Sequence, residues 1–341
     1  MNLVNSPHRD RLMNQVQTLA GKQNGIEEKK PLLSVVTPAY NESKNLPLLY
    51  ERLQQVMRDV ALDWEWIVVD DHSADNSFSA MADTAACDPR VRVMRLARNS
   101  GAHAAIICGL HHANGDCAVV MAADLQDPPE TIPELLKEWQ KGAHVVWAVR
   151  AAREGESSRT VGFARLYYWI MRHVVGMKEM PATGADFFLA DRRVLEALRQ
   201  FNENNVSILA LLTWMGFNQT SIVYDKQARQ HGKSGWNLGK KIKLVIDSVA
   251  SFSYLPIRIM SVIGFVFAVS GFLYALVVVG NALIGRPIEG WSSLMVVLLV
   301  IGGFQFLMLG VLGEYLWRAL DEARRRPSYI VEASSREVQK R

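Results

Sequence analysis

Residues 32–42, LLSVVTPAYNE, carry the reading that decides the fold. The apolar, β-branched run Leu32–Thr37 stops at Pro38 and reads as a short buried strand. Ser43 stands where a helix cap belongs, and Leu46, Leu49, Leu53, Val56 and Val60 then fall on one helical face. Outward from there, Trp66–Val69, Val91–Leu96, Ala118–Ala122 and Val145–Val149 repeat the strand pattern. Helical stretches are expected at Ala102–Ala113 and from Glu130 onward. This alternation predicts an α/β fold with a mostly parallel sheet and helices on both faces. Such sheets bind ligands at the carboxyl ends of their strands. Tyr40-Asn41-Glu42, Asp70-Asp71, Asn99 and Asp124 all follow apolar runs and belong at that edge.

Past residue 150 the pattern changes. Arg150–Arg159 is polar and reads as a mobile loop, Val161–Val175 is amphipathic and aromatic-rich, and Gly184–Leu189 reads as buried. Asn237–Phe252 mixes Lys240, Lys241 and Lys243 with Ile242, Leu244, Val245 and Ile246, as a helix lying in a membrane interface would. Two apolar runs follow, Leu255–Ile284 and Trp291–Trp317. Each exceeds the roughly 20 residues a helix needs to cross a bilayer, and soluble helices rarely stay apolar on every face for so long. Lysines precede the first run and Arg318, Arg324, Arg325 and Arg326 follow the second, while the connector holds only Arg286 and Glu289. That bias places the N-terminal region and the tail on the cytoplasmic side of a plasma (inner) membrane, as two crossings would, although a re-entrant hairpin would return the chain to the same side. Tyr254, Trp291, Tyr315 and Trp317 fit interfacial belts. The expected organisation is a loose arm over 1–30, a globular domain over 31–236, an interfacial helix over 237–253, the membrane pair within 254–318 and a cytoplasmic tail over 319–341.

Composition narrows the function classes. The net charge of +4 is concentrated near the spans, which favours lipid headgroups over nucleic acid as the partner. Cys87, Cys108 and Cys117 lack CxxC or zinc-type spacing and read as free thiols. No apolar h-region marks a signal peptide in residues 1–30. The absence of a P-loop and of GxGxxG argues against an ATPase or a dinucleotide enzyme. His103, His111, His112 and His144 carry no ligand spacing and read as ordinary helix or loop residues. Gly264, Gly271, Gly302 and Gly303 could let spans pack closely, within one chain or in a homo-oligomer. Asp70 with Asp71, and Asp124 with Asp127, could converge on a divalent cation that bridges phosphate oxygens, although acidic residues at strand ends are also common without one.

The order of the motifs says more than any one of them. VTPAYNE at 36–42, VDDHSAD at 69–75, NSG at 99–101 and ADLQDPPE at 123–130 resemble glycosyltransferase family 2, and its polyprenyl-phosphate glycosyltransferases in particular. The resemblance continues through RAAREGES at 150–157, GADF at 184–187, RQHGKS at 229–234, the two apolar runs and the tail. It implies a GT-A, Rossmann-like core that binds a nucleotide-sugar through Pro38, Tyr40, Glu42, Asp71, Asn99 and Asp124. It implies a metal, Mg²⁺ or Mn²⁺, at Asp124 and Gln126. It assigns acceptor-phosphate contacts to Arg150, Arg153, Arg159, Arg229 and Ser234, and catalytic roles to Asp124 and Asp186. The activity it implies is inverting transfer of a sugar, glucose or a related hexose, from a UDP-sugar to polyprenyl (undecaprenyl) phosphate, for cell-envelope glycan modification.

Three positions depart from the family pattern. Ala122 stands where relatives carry the first Asp of the metal motif, so a metal would rest on Asp124, Gln126 or Asp127. His72 replaces a Gly in a turn that calls for positive φ. Phe188 stands where many relatives have Arg. Ala122 alone supports a second expectation, a catalytically weakened homologue that serves as a nucleotide-binding or assembly subunit. Membrane polysaccharide synthases of the family carry a Gln-x-x-Arg-Trp motif and more spans, and neither is present.

Overall fold

The computed structural model describes residues 30–151, 162, 167–177, 179–181, 186–201, 203, 206–227, 238–284 and 290–335. β1 (Leu32–Ala39) pairs in parallel with β2 (Asp63–Asp70) on one side and with β4 (Cys117–Val120) on the other. β3 (Val91–Leu96) continues the parallel set beyond β2. With β5 (Val145–Arg150), β6 (Phe187–Asp191), β7 (Gln219–Tyr224) and β8 (Val331–Ser334), the sheet runs β7-β5-β6-β4-β1-β2-β3-β8. Strand order reverses between β1 and β4, the switch point where α/β sheets open a crevice.

Both faces of this sheet are covered. α1 (Asn45–Arg58), α2 (Ser77–Cys87) and α4 (Ile132–Gln140) bury Leu49, Met81 and Leu135 against one face. α3 (Ala102–His112), α5 (Arg192–Leu198) and α6 (Ile208–Trp214) bury Ile106, Leu195 and Leu212 against the other. α3 lies so close to β1 that a Cβ on Gly109 would collide with the side chain of Val36. Alternation along β1 feeds both cores, with Leu33 and Val35 on one face and Val36 on the other.

The sheet is mixed rather than mostly parallel. β6 runs antiparallel between β4 and β5, and β8 runs antiparallel to β3 at the edge. The string over 184–189 reads only as buried because periodicity does not separate a five-residue core strand from a buried helical turn. At α1 the residue entering the helix is Lys44, and no side chain caps it; the Glu42 carbonyl receives the Asn45 and Leu46 amides instead. The Ser43 amide is drawn away to the Asp75 carboxylate at 3.2 Å. The buried stripe is Leu46, Leu49, Leu53 and Met57, with Val56 turned partly outward.

α7 (Leu238–Phe252) docks on the globular domain, where the Ser248 and Tyr167 hydroxyls meet at 3.1 Å. α8 (Leu255–Leu283) and α9 (Trp291–Ala323) form an antiparallel pair in which Phe267 meets Phe304 and Gly264 faces Met308, while Gly271, Gly302 and Gly303 face no side chain within 4 Å. At roughly 1.5 Å per residue, each helix outspans a hydrocarbon core of about 30 Å. Phe265, Phe272 and Phe306 are each at least two-thirds exposed along them, a surface suited to lipid. At the base of the pair Arg318 binds Asp247 of α7 at 2.6 Å and Glu314 of its own helix at 2.7 Å, while the Tyr315 hydroxyl donates to the Ser253 carbonyl. The chain then returns to the domain, and β8 completes the sheet.

Candidate active site

The loops after β1 and β2 are laced together. Asn41, at φ +57°, donates its amide to Ser73 Oγ at 2.8 Å and accepts the Ala74 amide at 2.9 Å. The Glu42 amide donates to Ser77 Oγ at 2.9 Å, and the Asn45 side chain donates to the Glu42 carboxylate. Pro38 lies at the end of β1 opposite Val69, and Tyr40 stands half-exposed above it. Asp71 is buried and accepts the Ser100 and Gly101 amides at 2.6 and 2.8 Å, which pins the start of α3 to the end of β2. Gly101 has φ +91°, which a side chain would strain. Burial pushes the Asp71 carboxyl up from its ordinary range, the two amides hold it down in part, and neighbouring Asp70 adds to the rise. His72 has φ +59°, so its turn does require the left-handed conformation expected from its position. Asn99 is exposed at the same rim.

The loop after β4 holds the candidate metal ligands. Buried Leu125 has φ +62°, a strained turn of the kind kept at functional sites. That turn presents Asp124, which is almost buried and accepts the Gln126 amide at 3.2 Å. Gln126 is zipped to the chain after β7: its carbonyl accepts the Gln227 amide at 2.9 Å and its side-chain NH₂ donates to the Gln227 carbonyl at 3.3 Å. Asp127 leaves the ligand set. It is fully buried, accepts the Tyr224 hydroxyl at 2.6 Å and lies 3.3 Å from the Lys226 ammonium. Burial, reinforced by Asp127, drives the Tyr224 hydroxyl far up, so it stays a donor. Tyr224→Phe should therefore lower stability by about 1–3 kcal/mol, by stripping a partner from a buried carboxylate; a thermal or denaturant midpoint reads this out.

β6 contributes through its beginning. Phe188 is opposite Val120, so Asp186 and Ala122 each lie two residues further toward the rim. Arg150, at the end of β5, donates to the Asp186 carboxylate at 3.2 Å; its own side chain is 15% exposed and that of Asp186 60%. The structure thus joins two residues that sequence assigns to separate roles. Phe188 is core, packed on Trp147 with centroids 5.4 Å apart. His103, in the first turn of α3, feels the Asp186 charge, although burial dominates and pushes its pKa down. A cavity of about 480 Å³ runs from Asn99 and His103 to Asp247 and Arg326 at the base of the apolar helices. Arg153, Arg159, Arg229 and Ser234 lie outside the described residues. Sequence reading missed His103, Tyr224 and Lys226, because nothing in their local spacing signals where the chain later folds.

A divalent cation held mainly by substrate phosphates needs only one or two protein carboxylates. Among the described residues no three His, Cys, Asp or Glu side chains form a ready-made metal group. One almost buried carboxylate at Asp124 and the amide oxygen of Gln126, on a strained turn at the switch point, fit such a sparse site.

Comparison with known proteins bears on the family and the fold. The family described as Glycosyl transferase family 2 matches residues 34–199. The chain is 37% identical over 302 residues to "Uncharacterized glycosyltransferase YkcC" of Bacillus subtilis, covering 88% of this chain and 93% of that one. It is 33% identical to the "SfII prophage-derived bactoprenol glucosyl transferase" of Shigella flexneri, covering 89% and 98% respectively. Among solved structures it is similar to glucosyl-3-phosphoglycerate synthase from Mycobacterium tuberculosis, with TM-score 0.50 and 16% identity over 70% of this chain and 84% of that one. That likeness supports a GT-A-like fold.

Proposed function

Since the chain belongs to glycosyltransferase family 2, we propose that it transfers a sugar from a UDP-sugar to the phosphate of a membrane polyprenol, with inversion at the anomeric carbon. The observation that carries this reading is the Arg150–Asp186 pair at the mouth of the switch-point crevice. It places a guanidinium fork, suited to phosphate oxygens, beside the loop that bears Asp124. The similarity to a bactoprenol glucosyl transferase over almost its whole length supports the same acceptor class.

In the proposed reaction an oxygen of the lipid phosphate, already anionic, attacks the anomeric carbon. The bond from that carbon to the UDP oxygen breaks, and UDP leaves with the electron pair. An ionised nucleophile needs little base assistance, so the residues act by alignment and charge stabilisation. Tyr40 and Asp71 hold the nucleotide at the ends of β1 and β2. Arg150 orients the acceptor phosphate, and Asp186 holds Arg150 and faces the carbon as positive charge develops there. Asp124 and Gln126 would hold a divalent cation, which when bound neutralises the departing diphosphate. Gln227, bonded to Gln126, precedes Arg229 by two residues in sequence, in keeping with a second phosphate contact from Arg229.

The topology supports a cytoplasmic domain on a membrane hairpin that crosses twice. Both α7, before the hairpin, and β8, after it, contact the same globular domain, in keeping with the flanking charge. The cavity between Asn99 and Arg326 reaches the base of the apolar helices, which supports an acceptor site near the headgroup plane. The test is a donor screen on purified protein with undecaprenyl phosphate and labelled nucleotide-sugars. UDP-glucose or a related UDP-hexose should be consumed only when the lipid phosphate is present, giving a lipid-linked sugar. Nucleotide binding without turnover of any donor would count against transfer and favour a binding subunit.

A further inference from the structure

β8 follows both apolar helices in the chain, yet it reaches the nucleotide side of the site. Its pairing with β3 joins Arg95 to Ala333 and Leu96 to Val331, which leaves Glu332 as the extra residue of a β-bulge. Bulges at sheet edges re-aim a side chain. The Glu332 carboxylate lies 3.4 Å from Arg95 Nε and 3.6 Å from His72 Nδ1. Arg95 in turn donates to the Ser73 carbonyl at 3.2 Å and lies 3.8 Å from the buried Asp70 carboxylate, whose Oδ2 has no hydrogen-bond donor. The His72 ring meets the Leu96 carbonyl at 3.0 Å. Arg95 Nε makes no hydrogen bond among the described residues, so Glu332 meets Arg95 and His72 as a charge at ion-pair distance, and the turn 70–73 that presents Asp71 is flanked on its outer side by β3 and by this one carboxylate from the tail. The strand itself is anchored, since Ala97 donates to the Ile330 carbonyl at 2.8 Å, Val93 donates to Ser335 Oγ at 3.1 Å, and Tyr329 meets His111 at 3.1 Å.

We propose that Glu332 is a positioning residue for the donor site: it fixes Arg95 and His72 so that the 70–73 turn holds Asp71 in place for the nucleotide. This rests on the reading of Asp71 as a nucleotide contact. Without Glu332, the Arg95 guanidinium can swing toward Asp70, and the left-handed turn at His72 loses its outer support. It also means that the segment leaving the membrane hairpin helps build the donor pocket. A charge on an exposed edge strand can instead serve only to discourage strand pairing between molecules, and that role leaves nucleotide affinity unchanged.

The experiment uses the full-length protein in lipid nanodiscs, with UDP binding measured by calorimetry and the donor and acceptor KM measured separately. Glu332→Ala is expected to raise the UDP Kd and the donor KM about three- to fivefold, the scale of a partly exposed charge network. Acceptor KM, kcat and thermal midpoint should stay at wild-type values, and Glu332→Asp should recover part of the loss. In an Arg95→Ala background, Glu332→Ala should add little, since the two act as one unit. Unchanged UDP affinity in Glu332→Ala, or equal losses in both backgrounds, overturns the proposal. So does a loss shared by acceptor KM and midpoint, which marks a general structural role. If Glu332→Ala does not fold, Glu332→Gln, which keeps the bulge and its size, carries the same criteria. Wild-type protein that binds no UDP would instead overturn the functional reading beneath it.

Discussion

Asp124→Asn is expected to lower kcat for sugar transfer by about 10²- to 10³-fold, the scale of removing one pre-organised electrostatic group, with the fold intact. Asn keeps the shape and can still accept the Gln126 amide that Asp124 accepts at 3.2 Å, so the strained turn at Leu125 survives. What it loses is the negative charge, and Ala122 offers no second carboxylate in its place. The remaining candidate, Gln126, would supply only a neutral oxygen, and Asp127 is committed to Tyr224 and Lys226. A chelator should therefore silence the wild-type protein, and Mg²⁺ or Mn²⁺ should restore it. Ala122→Asp should tighten the apparent metal affinity, because a second hard oxygen would join the site. Turnover of labelled UDP-sugar during a metal titration reads all three. Full activity in chelator together with an active Asp124→Asn would show that the donor's charge is met another way.

Arg150→Ala should raise the KM for polyprenyl phosphate by about 10- to 150-fold, the loss of one charge-assisted contact worth roughly 1.5–3 kcal/mol. UDP affinity should change little, because Arg150 ends β5 while Tyr40 and Asp71 follow β1 and β2. Stability should also hold. Asp186 is 60% exposed, and a pair with one partner in solvent contributes about 1 kcal/mol or less. Asp186→Asn should depress kcat as well as loosen the acceptor, since it releases Arg150 and removes the charge proposed to face the reacting carbon. Acceptor and donor KM measured side by side, with a UDP binding isotherm, separate these outcomes. An equal loss of nucleotide affinity in Arg150→Ala would remove it from the acceptor side.

The strands that carry the motifs were legible because their signals are local. Apolar, β-branched runs ending in polar residues marked β1, β2, β3 and β5, and the need for a left-handed residue at position 72 follows from one turn. β6 was harder, because five buried residues look alike in a strand and in a helical turn. β8 is four residues in a segment read only as a cytoplasmic tail, and it becomes a strand by pairing with the edge that β3 offers. The cap expected at Ser43 is not made, because Lys44 is the residue entering the helix and the Glu42 carbonyl receives its first amides.

The family, the order of the motifs, the sheet edge where they gather and the two helices apolar enough for a membrane are all written in the residues alone. Those features depend on near neighbours and on one-dimensional order. That Asp127 is a buried anchor, that Arg150 and Asp186 are partners, and that Glu332 reaches His72 and Arg95 emerges only in the folded chain. Each of those depends on which strand lies beside which, and on direction as much as adjacency. An antiparallel β6 delivers its first residues to the rim where parallel strands deliver their last, and a bulge in β8 turns one exposed carboxylate toward His72 and Arg95. Strand direction and register are settled by long-range pairing across the sheet, and no local pattern of residues encodes them.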